Sequence, residues 1–214
     1  MKNLLILVIS LFIWVCPKLG HSQYSLDSLK SVWYNENNED TIRFNAMFKI
    51  LQHGQILSYQ DSLIHYTELE ITEAKALGLD KYLAHGLVYK CFINVGSSQI
   101  ASALNYADSA NTIYEELGDK YGIAWSNSYK GLIWIFTDKQ DEGLELMERS
   151  FMEMKDINDT YGMLSCSQSL ATGYNIKSDF TNRMYHANLS LQLSKKLGNW
   201  VALASSYHGM ADIY

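Results

Sequence analysis

Lys75-Ala76-Leu77-Gly78, Glu115-Glu116-Leu117-Gly118, Lys155-Asp156-Ile157-Asn158 and Lys195-Lys196-Leu197-Gly198 follow one another at steps of 40 residues with no insertion. Each reads as the end of a helix, because Gly and Asn tolerate the left-handed backbone that closes a last turn. Lys75, Lys155, Lys195 and Lys196 precede those stops, where a cation complements the helix dipole. Four stops at one spacing predict a repeated unit rather than a single closed core.

Further columns keep the phase. Ile64, Leu104, Leu144 and Met184 align, as do Thr67, Ala107, Met147 and Ala187, then Glu70, Ala110, Ser150 and Ser190. Together they approximate one stripe of a helix, apolar or small in most units and polar in the first. Upstream in each unit another helix is marked by Ala84, Ala124, Leu164 and Ala204, by Cys91, Gly131, Ala171 and Ala211, and by Trp134, Tyr174 and Tyr214. Small residues at one fixed place predict close approach between helices. Polar breaks separate the two helices of a unit at Gly96-Ser97-Ser98, Thr137-Asp138 and Lys177-Ser178-Asp179. Pro17 is the single proline, so nothing downstream kinks a helix.

The unit is therefore a helix, a short turn, a longer helix and a short turn. Neither helix buries its stripe alone, so the units stack into an all-α, right-handed superhelical solenoid of antiparallel helix pairs. The units run over about 40–78, 79–118, 119–158 and 159–198, with an incomplete one at 199–214. Residues 23–39 form a preface: Ser25 to Tyr34 suits a short amphipathic helix, and Asn35 to Asp40 a polar linker.

These columns resemble tetratricopeptide repeats, with Leu170, Ala171 and Tyr174 in one unit, Met210, Ala211 and Tyr214 in the next, and Ala103, Ala107 and Ala110 on an earlier second helix. The period exceeds the family's usual length of about 34 residues, so the resemblance is to a long-helix variety. It covers residues from about 40 to 214. Lys90 and Lys130 stand in the usual Leu column, Arg183 in a small-residue column, and the usual proline is missing. The unit from Asp40 to Gly78 matches least, with Leu51 and Gly54 where a small residue and an aromatic belong.

Lys2, the apolar run Leu4 to Cys16 and the small residues Gly20 and Ser22 have the layout of a secretory signal peptide over 1–22, cleaved after Ser22. The run is too short for the roughly 30 Å hydrocarbon core of a bilayer. Trp14 and Val15 fit a lipoprotein site at Cys16 poorly. Export to a periplasmic or extracellular compartment is the expectation, membrane association requiring an anchor further downstream. Cys91 and Cys166 would meet an oxidising environment there, but two units apart they are too distant to bridge.

The chain carries 17 Lys and Arg against 23 Asp and Glu, a net charge of −6, which becomes −8 once Lys2 and Lys18 leave with the leader. That excess excludes nucleic acid and anionic lipid as partners, since both require basic patches. No phosphate loop, glycine fingerprint, nucleophile elbow or zinc-protease pattern is present. His21, His53, His65, His85, His186 and His208 show no metal-ligand spacing, and adjacent carboxylates such as Glu115-Glu116 splay apart on a helix. Asn158-Asp159-Thr160 and Asn188-Leu189-Ser190 match a glycosylation sequon that recurs by chance. The expectation is a non-enzymatic module without cofactor or metal, binding a protein or peptide.

Most of the aromatic residues, Tyr89, Tyr129, Trp134, Tyr174 and Tyr214 among them, occupy packing columns. First helices line the concave surface in repeats of this kind, and by that phase His85, Phe92, Trp125 and Ser128 face the groove. Leu132, Gln168, Asn175 and His208 continue the same line. The surface lacks the lysine-and-asparagine clamp with which some tetratricopeptide repeats hold a terminal carboxylate. The last unit stops at Ile213-Tyr214 after one helix. Exported arrays of this sort resemble the sensory halves of bacterial membrane signalling proteins. In that alternative an output domain, a histidine kinase, cyclase or DNA-binding regulator, lies beyond Tyr214.

Overall fold

The computed structural model describes residues 25–57, 60–198, 202–204 and 206–207. The expected leader and its cleavage site, together with His208, Met210, Ala211 and Tyr214, lie outside the described residues. Among those described, every element is a helix: α1 (Leu26–Tyr34), α2 (Asp40–Leu57), α3 (Gln60–Leu77), α4 (Asp80–Gly96), α5 (Ile100–Leu117), α6 (Lys120–Ile135), α7 (Gln140–Asp156), α8 (Thr160–Ile176) and α9 (Phe180–Lys196). Each packs on its successor, so the chain is an all-α, repeat-like array of antiparallel pairs α2/α3, α4/α5, α6/α7 and α8/α9.

The helix ends follow from local chemistry. Gly78, Gly118 and Gly198 take φ of 67°, 65° and 61°, and Asn158 takes 57°. Behind each of the first three stops the chain closes in the same way: Leu79 N–H donates to Ala74 O at 2.9 Å, Asp119 N–H to Tyr114 O at 2.9 Å and Asp159 N–H to Met154 O at 2.8 Å. Ser98 and Ser178 do the same work inside their units, with φ of 60° and 59°. Asp119, Asp159 and Asp179 then start α6, α8 and α9 by accepting backbone N–H groups on their carboxylates. The second helix of a unit is not appreciably longer than the first. α4 and α6 have 17 and 16 residues and their partners α5 and α7 have 18 and 17, while α8 and α9 have 17 each. The extra length of the unit is shared between both helices.

Burial follows the columns. Thr67, Ala107, Met147 and Ala187 are buried, as are Glu70, Ala110, Ser150 and Ser190, and on the first helices Ala84, Ala124 and Leu164. Two columns are corrected. Ile64 is exposed while Leu144 is buried, because the stripe is centred one residue earlier, on Leu63, Ala103, Gly143 and Arg183. Ala204 is exposed, whereas Ala202 and Ser206 are buried. Gly131 marks the close approach expected of its column: a Cβ placed there would stand 3.1 Å from the Gly143 carbonyl oxygen and 3.2 Å from Met147 N, so α6 and α7 touch backbone to backbone. The lysines in the Leu column run along the second helices to acids in register. Lys90 Nζ meets Glu68 at 2.7 Å and Lys130 Nζ meets Asp108 at 2.5 Å.

α1 lies over the first pair. Trp33 is fully buried edge-on to Phe44 with ring centroids 5.2 Å apart, and Arg43 donates from Nε to the Trp33 carbonyl at 3.0 Å. The first helices α2, α4, α6 and α8 also touch one another in sequence, which α3, α5, α7 and α9 do not do to a comparable extent. The array therefore curves with its first helices on the inside. Among the described residues no helix is long and apolar enough to cross a membrane.

Candidate functional site

Where α2, α4, α6 and α8 converge, their side chains leave a cleft with about 50 Å³ of free volume. Phe48 contributes from α2, His85, Val88 and Tyr89 from α4. Tyr121, Gly122, Trp125 and Tyr129 come from α6, Tyr161 from α8 and Tyr114 from the second helix α5. The helical spacing explains the grouping. His85 and Tyr89, and Tyr121, Trp125 and Tyr129, lie four apart on one helix face and recur in the same phase on neighbouring first helices. Gly122 lets the Tyr114 ring lie against the α6 backbone, where a Cβ would overlap it.

Trp125 is the hub of the rings. Its centroid lies 6.3 Å from Tyr121, 6.1 Å from Tyr129 and 5.9 Å from Tyr161. Its indole N–H donates to Asp159 Oδ2 at 3.0 Å, while Oδ1 of the same carboxylate accepts from the Tyr161 and Gly162 N–H groups that open α8. At the other side His85 stacks on Phe48 with centroids 4.4 Å apart and meets Tyr89 edge-on at 4.9 Å. His85 Nδ1 stands 2.9 Å from each oxygen of Glu70, a carboxylate with no exposed surface. Burial raises the Glu70 pKa, against which the charge and hydrogen bond of His85 act.

Of the eight expected groove residues, His85 and Trp125 are brought together in this cleft. Phe92 is half-buried against the neighbouring core, edge-on to Tyr129 at 6.2 Å. Ser128 is buried and donates its hydroxyl to the Trp125 carbonyl at 2.8 Å. Leu132 is buried among Ala124, Leu144 and Met147, inside the packing rather than on the groove. Gln168 is half-buried with Oε1 shielded and without a hydrogen-bond partner, and Asn175 is exposed; neither lines the cleft. His208 lies outside the described residues.

Phe48, Tyr121 and Tyr161 are cleft residues that the column analysis did not single out. For two of them a signal existed: Asp119-Lys120-Tyr121-Gly122 and Asp159-Thr160-Tyr161-Gly162 repeat one period apart, joining cap, ring and small residue. Tyr89 and Tyr129, assigned to packing, are indeed buried and line the cleft as well.

A second polar cluster lies on the outer side. Glu148 Oε1 accepts from Tyr174 Oη at 3.1 Å and lies 2.9 Å from His186 Nε2. Leu170 stands in the column of Lys90 and Lys130, so here His186 and Tyr174 replace the lysine as partners of the acid. Burial acts to raise the Glu148 pKa, but the contacts from His186 and Tyr174 outweigh it and hold the carboxyl below the usual range. Among the described residues no three metal-ligating side chains form a group, and Cys91 and Cys166 are free, buried thiols. No protein-family model matches the chain, and no curated protein does.

Proposed function

We propose that this chain is a tetratricopeptide-like interaction module, non-enzymatic and exported by its leader, which binds a peptide or protein segment along the face formed by its first helices. The carrying observation is the aromatic cleft around Trp125, a concave, mostly apolar pocket with few polar groups, shared by helices of four successive units. Clefts of that composition concentrate binding energy, because rigid aromatic rings offer large contact area at small entropic cost. The leader layout of Lys2 and Leu4 to Cys16 supports export.

The test is selection of peptides on the immobilised chain from a displayed random library, with affinities measured by fluorescence anisotropy. Trp125→Ala should weaken selected peptides by at least about tenfold, the effect of a hot-spot truncation, while circular dichroism shows the helices intact. Gln168→Ala, at a half-buried α8 residue that does not line the cleft, should cost less. Peptides that bind Trp125→Ala as tightly as the parent chain would overturn the assignment.

A further inference from the structure

We infer that the cleft takes a positively charged side-chain tip, the ammonium of a lysine or the guanidinium of an arginine, from the bound segment; this rests on the peptide-binding reading above. The walls are built of electron-rich rings, with Trp125 tilted by 54°, 35° and 30° against Tyr121, Tyr129 and Tyr161. The quadrupoles of such rings attract cations, most strongly where water is excluded. Among the described residues no lysine or arginine lines the cleft.

The charges behind the rings have the complementary sign. Asp159 sits 3.0 Å behind the Trp125 indole nitrogen, and the three donors it accepts from, the indole and two backbone N–H groups, are neutral. Asp119, which caps α6 beside Tyr121, is met at 3.1 Å by Lys81, whose side chain is largely exposed. His85 turns its Nδ1 away from the rings, onto the Glu70 carboxyl at 2.9 Å. Among the described residues no lysine, arginine or histidine forms an ion pair with Asp159, so its carboxylate adds negative charge behind the Trp125 ring. The free volume of about 50 Å³ suits the tip of one side chain rather than a length of backbone. The acidic excess of the whole chain, −6, favours the encounter with a basic segment.

The probes are choline and its uncharged isostere 3,3-dimethylbutan-1-ol, titrated into the ¹⁵N-labelled chain at fixed ionic strength. The Trp125 indole N–H resonance, identified by its loss in Trp125→Phe, is the reporter. Choline should move it saturably and bind about tenfold more tightly than the alcohol. Asp159→Asn, which keeps an oxygen for the α8 cap, should weaken choline severalfold and leave the alcohol unchanged. Tyr161→Leu, which leaves the carboxylate in place, should also weaken choline. Equal affinity for the two probes, or no saturable shift with choline, would overturn the cation assignment. Selected peptides separate the two readings. If they need Trp125 but carry no Lys or Arg in common, the cation assignment falls and peptide binding stands. If choline binds as expected and no peptide does, the cation chemistry stands and the peptide reading falls.

Discussion

The indole N–H of Trp125 and the carboxylate of Asp159 meet at 3.0 Å across 34 residues of sequence, joining a cleft wall in one unit to the helix start of the next. Because the other oxygen of Asp159 caps α8 through Tyr161 and Gly162, one side chain both shapes the cleft and sets the unit boundary. Cleft geometry and array stability are thereby linked.

Asp159→Ala should lower stability by about 2 kcal/mol, a lost cap adding to an indole N–H without its partner. Asp159→Asn, which retains an acceptor for the backbone, should lose less than half of that. Urea denaturation followed by circular dichroism decides it, and equal midpoints for the two variants would show that the cap contributes nothing.

Two glycines should respond to alanine for different reasons. A Cβ on Gly143 would stand 2.5 Å from the Ile135 nitrogen, so α6 and α7 must separate, at a cost of about 1–3 kcal/mol. Gly118 has nothing within 4 Å but takes φ of 65°, so Gly118→Ala meets only backbone strain of about 1 kcal/mol. Thermal melts of both variants should rank Gly143→Ala as the more damaging, and the reverse order would place the α6–α7 contact elsewhere.

The buried Glu70 should make the chain less stable as pH rises. Its folded pKa lies above its ordinary 4.5, so between those values the folded chain binds more protons than the unfolded one. The favourable contribution is complete below 4.5 and is lost as pH climbs through the raised value. Glu70→Gln should flatten that part of the stability profile. His85→Ala, which strands the carboxylate, should steepen it and cost about 3–5 kcal/mol at neutral pH. Urea midpoints measured from pH 4 to pH 8, about the span in which such a group titrates, test both slopes.

Glu148 should act with the opposite sign. Its carboxyl is held below 4.5, because His186 and Tyr174 together outweigh the effect of burial. The contribution is therefore present above 4.5 and is lost as pH falls through the depressed folded value. Acid titration of tyrosine fluorescence or circular dichroism in Glu148→Gln should show a flatter acid limb than in the parent chain. An identical limb would mean that the His186 contact is not maintained in solution.

Four stops at residues 78, 118, 158 and 198 could be read directly from the chain because a left-handed residue is a local requirement, met by Gly or Asn whatever surrounds it. The buried columns could be read for a similar reason: a stripe facing the same neighbour in every unit demands the same small or apolar residue every 40 positions. Glu70 announced itself as the one acid in a column otherwise of Ala and Ser, yet its partner His85 did not. The two lie on antiparallel helices whose relative rotation no period encodes.

The sequence by itself determined the helices, their ends, their order and most of the columns they bury, since each depends on backbone preferences and on contacts repeated between neighbours. Only the tertiary structure decided that Leu132 is packed inside while Trp125 stays open, and that Phe48, His85, Tyr121 and Tyr161 share one space with it. A cleft is the volume that four helices fail to fill. That volume depends on how far apart and how steeply they cross, which is set by the side chains of all of them together.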